Sequence, residues 1–287
     1  MRKPVYAGSF YPKSAHQLSK MIEDCFNSKL GPGASPSVSL KKSNPPLKAI
    51  ISPHAGYVYS GMAAAWGYLA ISQSSLPDLF ILLGPNHNSR RSGVSVDTFE
   101  TPLGLMRVDH EFVNLLVKKG TVGVNEDIHA KEHSLEVQLP FLQFALGNRA
   151  DQAKIVPIIV SHDIDPAKLA DDLKVAINES KKSVTFIVSS DLTHHGPNYG
   201  YAPFSHDIKE NLSKLDGEII EFIRKGDFEG FEICLHDTRA TVCGALPISV
   251  LLRTISFDKA LLEQYYTSGD VVGDYTNSVS YASIIFR

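Results

Sequence analysis

Cysteine is scarce in this chain and its count, three, is odd. No two of Cys25, Cys234 and Cys243 form a C-x-x-C pair. A disulfide scaffold is therefore not expected, and a reducing, cytoplasmic setting is. No apolar run approaches the roughly 18–20 residues that a membrane-spanning helix needs. The opening MRKPVYAGSFYPKS has cations but no apolar stretch after them, so no secretory signal is read there. An excess of charge of one sign is also missing. With 28 Lys and Arg against 31 Asp and Glu, the net charge is −3 and the pI is near 6.4. Nucleic acid and anionic membrane are not expected as partners of such a surface.

Several local signatures are absent as well. The phosphate-cradling patterns GxGxxG and GxxxxGK[ST] do not occur, which argues against NAD and ATP. Without a GxSxG elbow, Ser60, Ser189 and Ser190 do not make a serine hydrolase. The basic pairs Lys41-Lys42, Arg90-Arg91 and Lys181-Lys182 are too short to be more than solvated faces.

What is present is a chain of 287 residues with 43% hydrophobic content, enough for a sizeable core. Leu18, Met21, Ile22 and Cys25 recur at helical spacing over Ser14–Phe26, with Ser14 as the expected cap. Residues 27–46 are rich in Ser, Pro and Gly and read as a surface loop. From Leu47 onward, short apolar runs alternate with helical patterns. The expected buried strands are Leu47–Ser52, Asp78–Leu83, Lys154–Ser161 and Ser183–Ser190. Helices are expected near Ser60–Ile71, Asp109–Lys119, Ser134–Leu146 and Pro166–Asn178, then near Ser205–Arg224, Phe228–Leu235 and Val242–Ile255. The chain closes with Leu261–Thr267 and a strand over Ser278–Phe286. Continuous apolar strands between amphipathic helices indicate an α/β fold, with a mostly parallel central sheet flanked by helices. No internal repeat and no second linker divides residues 1–287, so a single domain is expected.

Three of the expected strands run into turns that carry histidine. They are Ser52-Pro53-His54-Ala55-Gly56-Tyr57, Gly84-Pro85-Asn86-His87-Asn88 and Ser189-Ser190-Asp191-Leu192-Thr193-His194-His195-Gly196. Ligands of open α/β sheets bind outside the carboxyl ends of the strands. One histidine after one strand is an ordinary loop residue. Three at equivalent ends can form a cluster, provided the strands are neighbours. Asp191, three residues before His194, suits a ligand or acid/base pair, or simply an Asx turn.

Two further segments qualify. Glu132-His133-Ser134-Leu135-Glu136 opens a helical pattern, where Ser134 could cap and Glu136 could face the positive helix end. Equally, Glu132, His133 and Glu136 could orient metal-bound imidazoles. Cys243, in Thr241-Val242-Cys243-Gly244-Ala245-Leu246-Pro247, lies at the opening of an expected helix, where a thiolate is favoured. Its plain alternative is a small buried hydrophobe, the reading that suits Cys25 and Cys234.

Taken in chain order, these pieces resemble the Memo-like family. The matching segments are Tyr6-Ala7-Gly8-Ser9-Phe10-Tyr11-Pro12, Pro53-His54-Ala55-Gly56-Tyr57, Gly84-Pro85-Asn86-His87, Glu132-His133-Ser134-Leu135-Glu136, Ser189-Ser190-Asp191 with His194, and Val242-Cys243-Gly244. The resemblance implies an α/β fold similar to that of class III extradiol dioxygenases. It implies a metal site at His54, His87 and Cys243, with Asp191 and His194 as further pocket residues in catalytic roles. Iron(II) is the expected metal, with copper or zinc as the alternatives. Where the dioxygenases use two histidines and a carboxylate, this chain has Cys243. A thiolate is softer, favours copper(I) or zinc while accepting iron(II), and can itself be oxidised. Ring cleavage is therefore not expected, whereas metal binding is.

Three functions follow from the resemblance: a metal-dependent oxidoreductase, a binding module for phosphorylated or other anionic peptides, and a copper-sequestering protein. A small-molecule ligand and a functional link to a radical-SAM protein are the partners it implies.

Overall fold

The computed structural model describes residues 1–36 and 47–287. The expected loop over 27–46 is thus described only through residue 36, and residues 37–46 lie outside the described residues. In chain order the elements are α1 (Ala15–Asn27), β1 (Ala49–Ser52), α2 (Tyr57–Ser72), β2 (Leu79–Pro85), β3 (Gly93–Val94), β4 (Phe99–Thr101) and β5 (Gly104–Val108). There follow α3 (His110–Val117), α4 (Glu126–Ala130), α5 (Gln138–Leu146), β6 (Lys154–Val160), α6 (Pro166–Ser180), β7 (Val184–Ser189) and β8 (His194–His195). The chain ends with α7 (Ile208–Lys225), α8 (Phe228–Thr238), α9 (Ala245–Thr254), β9 (Ala260–Thr267), α10 (Ser268–Val272) and β10 (Ser278–Phe286).

The four apolar runs that read as buried strands are β1, β2, β6 and β7. Every residue of β1 and β2 is buried, as a strand covered on both faces requires. Among the described residues the sheet is ten-stranded, in the order β4-β5-β6-β2-β7-β1-β10-β8, with β3 also on β6 and β9 also on β10. Strands β5, β6, β2, β7 and β1 pair in parallel. Antiparallel partners close both sides, β4 on β5 and β10 on β1. This is a single α/β domain with a mostly parallel, mixed sheet. Helix α2 packs on β1 and β10, together with α1 and α5. Helix α9 packs on β2 and β7 from its own layer, with α6 and α8 against it and α3 beyond.

Local chemistry sets most boundaries. Ser14 caps α1 by accepting from the Gln17 N–H, and Asp165 caps α6 with Pro166 at its first position. Asp109 caps α3 by accepting from the Phe112 N–H at 3.0 Å, and its carboxylate also meets Lys182 at 2.8 Å. Burial works to raise the Asp109 carboxyl, but Lys182, the Phe112 N–H and Lys154 hold it below its ordinary value.

The expected start of α5 is corrected. The helix begins at Gln138, not Ser134. Ser134 is spent elsewhere, its hydroxyl donating to the Pro85 carbonyl at 2.8 Å. Glu136, placed by the sequence at a helix end or beside the imidazoles, does neither. It is fully buried and holds down the amino-terminal segment. It accepts from Arg2 Nη1 at 2.7 Å, Tyr6 N at 2.8 Å, Val5 N at 3.1 Å and Tyr11 Oη at 2.6 Å. Arg2 is also buried and lies 5.0 Å over the Phe99 ring. A buried charge pair is tolerated when its remaining hydrogen-bonding capacity is met. Arg2 meets that condition by donating to the His129 and Glu132 carbonyls.

Two outcomes are expected. Glu136→Ala strands a buried guanidinium and should cost about 3–5 kcal/mol, read as a lower urea midpoint; a loss within experimental error would show that the pair is not holding the segment. Asp109→Asn keeps the cap but removes the ion pair with Lys182, and should cost up to about 1 kcal/mol near neutral pH. Because the folded-state pKa is depressed, that stability is complete above the ordinary carboxylate range and drains as pH falls below it. Urea midpoints of the two proteins should therefore converge on acidification below about pH 4.

Candidate metal centre

The parallel register brings the carboxyl ends of four strands level. Pro85 of β2 pairs with Val160 of β6, Leu83 with Val188 of β7, and Ser189 of β7 with Ser52 of β1. The sheet order β6-β2-β7-β1 therefore lines up His162, His87, Asp191 and His54 along one edge. The condition set by the sequence, that the histidine-bearing strands be neighbours, is met by β2, β7 and β1. His54, His87 and Cys243 converge, with one donor atom from each lying within 4.8 Å of the others.

Hydrogen bonds fix how the two imidazoles face this point. The Ser189 hydroxyl donates to the Ser134 carbonyl at 2.5 Å and accepts from Gln138 Nε2 at 2.8 Å. Its proton is thus used, so His54 Nδ1, 2.9 Å away, must be the donor to it. The proton of neutral His54 sits on Nδ1, and the Nε2 lone pair points at Cys243 Sγ, 3.1 Å away. Burial, then the nearby His87, depresses the His54 pKa well below its ordinary value, which keeps the ring neutral. His87 is held by the buried Glu132, whose Oε1 lies 2.8 Å from Nδ1 and whose Oε2 accepts from the His87 backbone N–H at 2.7 Å. Burial pushes the Glu132 carboxyl up, but the His87 and Ser134 bonds and the His133 ring outweigh it and keep it ionised. His87 thus also offers Nε2. Two imidazoles with a fixed proton on Nδ1 are the forms that ligate a metal ion.

The thiol arrives from the helix layer. Cys243 lies two residues before α9 and is half-buried. Burial, then Asp191, raises its pKa, so the metal-free site holds a thiol. The Asp191 N–H donates to Sγ at 3.2 Å, a bond that favours charge on sulfur once a cation is near. Gly244 makes this approach feasible. A Cβ there would come within 2.3 Å of Ser190 Cβ and 2.8 Å of the Ser189 carbonyl, while its N–H bonds Ser190 Oγ at 3.0 Å. Gly84 plays the same part in β2, where a Cβ would meet Leu135 Cδ2 and Ser134 Oγ at 2.7 Å. For bonds of ~2.0–2.3 Å, tetrahedral donors lie about 3.3–3.8 Å apart; the spacing here suits a small adjustment onto an ion.

The remaining expected residues surround this cluster. Asp191 is fully buried, accepts from the His54 backbone N–H at 2.8 Å, and has a carboxyl raised chiefly by burial. Its Oδ2 is 4.0 Å from His54 Nε2. His194 Nδ1 faces the Leu192 and Thr241 carbonyls, each at 3.0 Å, so it carries the proton and Nε2 is the free nitrogen. His195 turns away, to the Phe204 carbonyl at 3.2 Å. His133 stacks on His87 with ring centroids 4.3 Å apart and lies edge-on to His54. It belongs to a second donor group, His87, Glu132 and His133. Tyr6 and Phe10 pack on its ring, so the amino-terminal segment held by Glu136 also walls the site.

Two cavities open on either side of the cluster. One of about 580 Å³ is bordered by His87 and Cys243, the other of about 480 Å³ by His133, Asp191 and His194. Sequence reasoning missed Ser189 as the partner of His54, and Gln138 behind it. It also missed His162, although Ser161-His162 directly follows an expected strand, the same signal that found the other three turns. Arg90, read as a solvated face, lines the larger cavity.

Comparison with known proteins places these features. The Memo-like protein family profile matches residues 2–285. A MEMO1 family protein of Methanopyrus kandleri is 37% identical over 297 residues, covering 100% of this chain and 99% of its own. One from Thermotoga neapolitana is 37% identical over 293 residues, covering 99% of each. Among solved structures, an uncharacterized protein from Escherichia coli K12 shares the fold, with a TM-score of 0.54 at 11% identity over 84% of this chain and 100% of that one.

The orientation of His87 yields a direct expectation. Glu132→Gln should weaken zinc(II) binding about 10–100-fold, the usual effect of removing a partner that orients a ligand, as read in competition titrations. An unchanged affinity would mean that Glu132 serves the fold alone.

Proposed function

The chain belongs to the Memo-like family, and from that membership we propose that it is a metal-dependent redox protein centred on His54, His87 and Cys243. The observation that carries this reading is the convergence of two imidazole nitrogens, with their protons held on the far side, and one sulfur within 4.8 Å. Iron(II) is the proposed resident metal. A metal ion held there would supply Lewis acidity and one-electron chemistry. His54 and His87 would bind through Nε2, with Ser189 and Glu132 preventing their rotation. Cys243 would bind as thiolate, its charge met by the Asp191 N–H. His194 would take or give a proton at Nε2, since its Nδ1 is committed to two carbonyls. Asp191 would stabilise charge on that imidazole from the same cavity. The cavities on both sides of the donor set support a centre with open positions over a closed storage site, and therefore reaction over copper sequestration. A sulfur donor in place of a carboxylate argues against catechol ring opening.

Anaerobic purification followed by element analysis tests this reading. Close to one iron per chain is expected, lost in both His54→Ala and Cys243→Ala. Iron(II) at about one hundred times its dissociation constant should stabilise the wild type by about 2.7 kcal/mol and leave the variants unmoved. Copper in its place would shift the assignment to sequestration. Protein that contains no metal and takes none up would end the proposal.

A further inference from the structure

The two cavities beside the cluster differ in charge. None of the fourteen residues lining the larger one is acidic, and it carries Arg90 and His162 on its rim. Neither of these has a hydrogen bond or ion pair among the described residues. The nearby Asp163 carboxylate is engaged by the Ser92 hydroxyl at 2.6 Å. On this rim the amides of Asn86 and Asn88 are already committed, to Ser89 and Arg91 and to Glu132 and Lys131 respectively. Among the described residues the free side-chain donors of this lining are thus Arg90, His162 and the Ser89 hydroxyl, which accepts from Asn86 and the Arg91 N–H but donates to no partner. The apolar part of the lining comes from Val160 of β6 and from Val242, Ala245, Leu246 and Pro247 in and just before α9. The smaller cavity has the reverse character. Asp191 lines it, and among the described residues no Lys or Arg does.

We infer that the larger cavity receives a small organic carboxylate, with its anionic end at Arg90 and His162 and its apolar body along the α9 wall. This names the substrate class of the site proposed above and rests on that reading for the role of His87 and Cys243 in its lining. The physical argument is independent of it. A guanidinium without a partner and an imidazole in one cavity whose lining holds no carboxylate is the arrangement that selects a carboxylate over a neutral isostere. Net charge cannot supply the attraction, because the chain as a whole is negative. A cation would instead be drawn to the Asp191 side. The apolar wall separates an organic acid from a bare inorganic anion, which would leave that wall wet.

The test is a calorimetric titration of the full chain with 3-phenylpropionate, 3-phenylpropionamide and inorganic phosphate, run metal-free and with zinc(II) bound. The acid should bind at least tenfold more tightly than the amide. Arg90→Gln and His162→Gln should each remove most of that difference, and both positions are exposed, so the variants should fold. Leu246→Ser should weaken acid and amide alike while leaving phosphate unchanged. Equal binding of acid and amide, or acid binding unaffected in both rim variants, would overturn the inference. Phosphate binding as tightly as the acid would overturn the role of the apolar wall. The metal-free arm keeps the two readings apart: rim-dependent binding there, with no zinc uptake, would sink the metal centre and leave the carboxylate site standing. Zinc uptake without rim-dependent binding would do the reverse.

Discussion

Parallel pairing of β2, β7 and β1 is the constraint on which the site depends. A parallel ladder leaves all its strands pointing the same way, so their turns emerge at one edge. The pairings Leu83 with Val188 and Ser189 with Ser52 make those turns level. A one-residue slip would exchange the faces of every side chain in a strand, and the His54 and His87 rings would no longer meet. What prevents the slip is the burial of both faces of β1 and β2. The antiparallel strand β10, buried along its whole length, locks β1 from the other side.

On this frame one short segment does two separate jobs. Within Glu132–Glu136, the first carboxylate turns toward the sheet edge and holds His87, while the last turns away and gathers the amino-terminal segment. Both are buried ions, and each is acceptable only because its oxygens are fully engaged. The two jobs are coupled. Arg2 touches Glu136 through its side chain and the Glu132 carbonyl as well, and Tyr6 and Phe10 bring the gathered segment onto His133. The Tyr6–Pro12 motif is therefore part of the site's wall, although none of its residues belongs to the donor set.

The legible parts of the sequence were those governed by local pattern. Four apolar runs gave the buried strands, and histidine after three of them gave the cluster. Strands β4 and β5 were not legible: β4 is only three residues long, and β5 is largely exposed, with Gly104, Leu105 and Arg107 facing solvent. Such a strand exists because β6 offers it a free edge, a fact of topology. The roles of Ser134 and Glu136 were misread for a related reason. Each satisfies a capping pattern within its own segment, yet the partners that claim them, the Pro85 carbonyl and Arg2, are far away in sequence. A local cap yields when a buried long-range acceptor or donor would otherwise be left unpaired. The same applies to Ser189, whose neighbour His54 is 135 positions distant.

Cys243 differs from the other donors in where it comes from. The histidines hang from strand ends, whereas the thiol belongs to the turn before α9, in the helix layer. It reaches the sheet edge because Gly244 lets the backbone close on Ser190 without a Cβ. The bonds from the Asp191 N–H to Sγ and from the Gly244 N–H to Ser190 Oγ then pin the two turns to each other. Any ion shared by His54, His87 and Cys243 would join the two layers as well as the three residues. The same α9 turn supplies Val242, Ala245 and Leu246 to the apolar wall of the larger cavity. A ligand resting on that wall would press on the segment that carries the sulfur. A ligand on that wall would thus lie within one to three residues, along the chain, of the one that carries the sulfur. On the Asp191 side the linkage runs through hydrogen bonds instead: the Asp191 N–H bonds Sγ itself, and His194 bonds the carbonyl of Thr241, two residues before Cys243. Both cavities therefore reach the sulfur, one through apolar packing on its own turn and the other through hydrogen bonds to that turn.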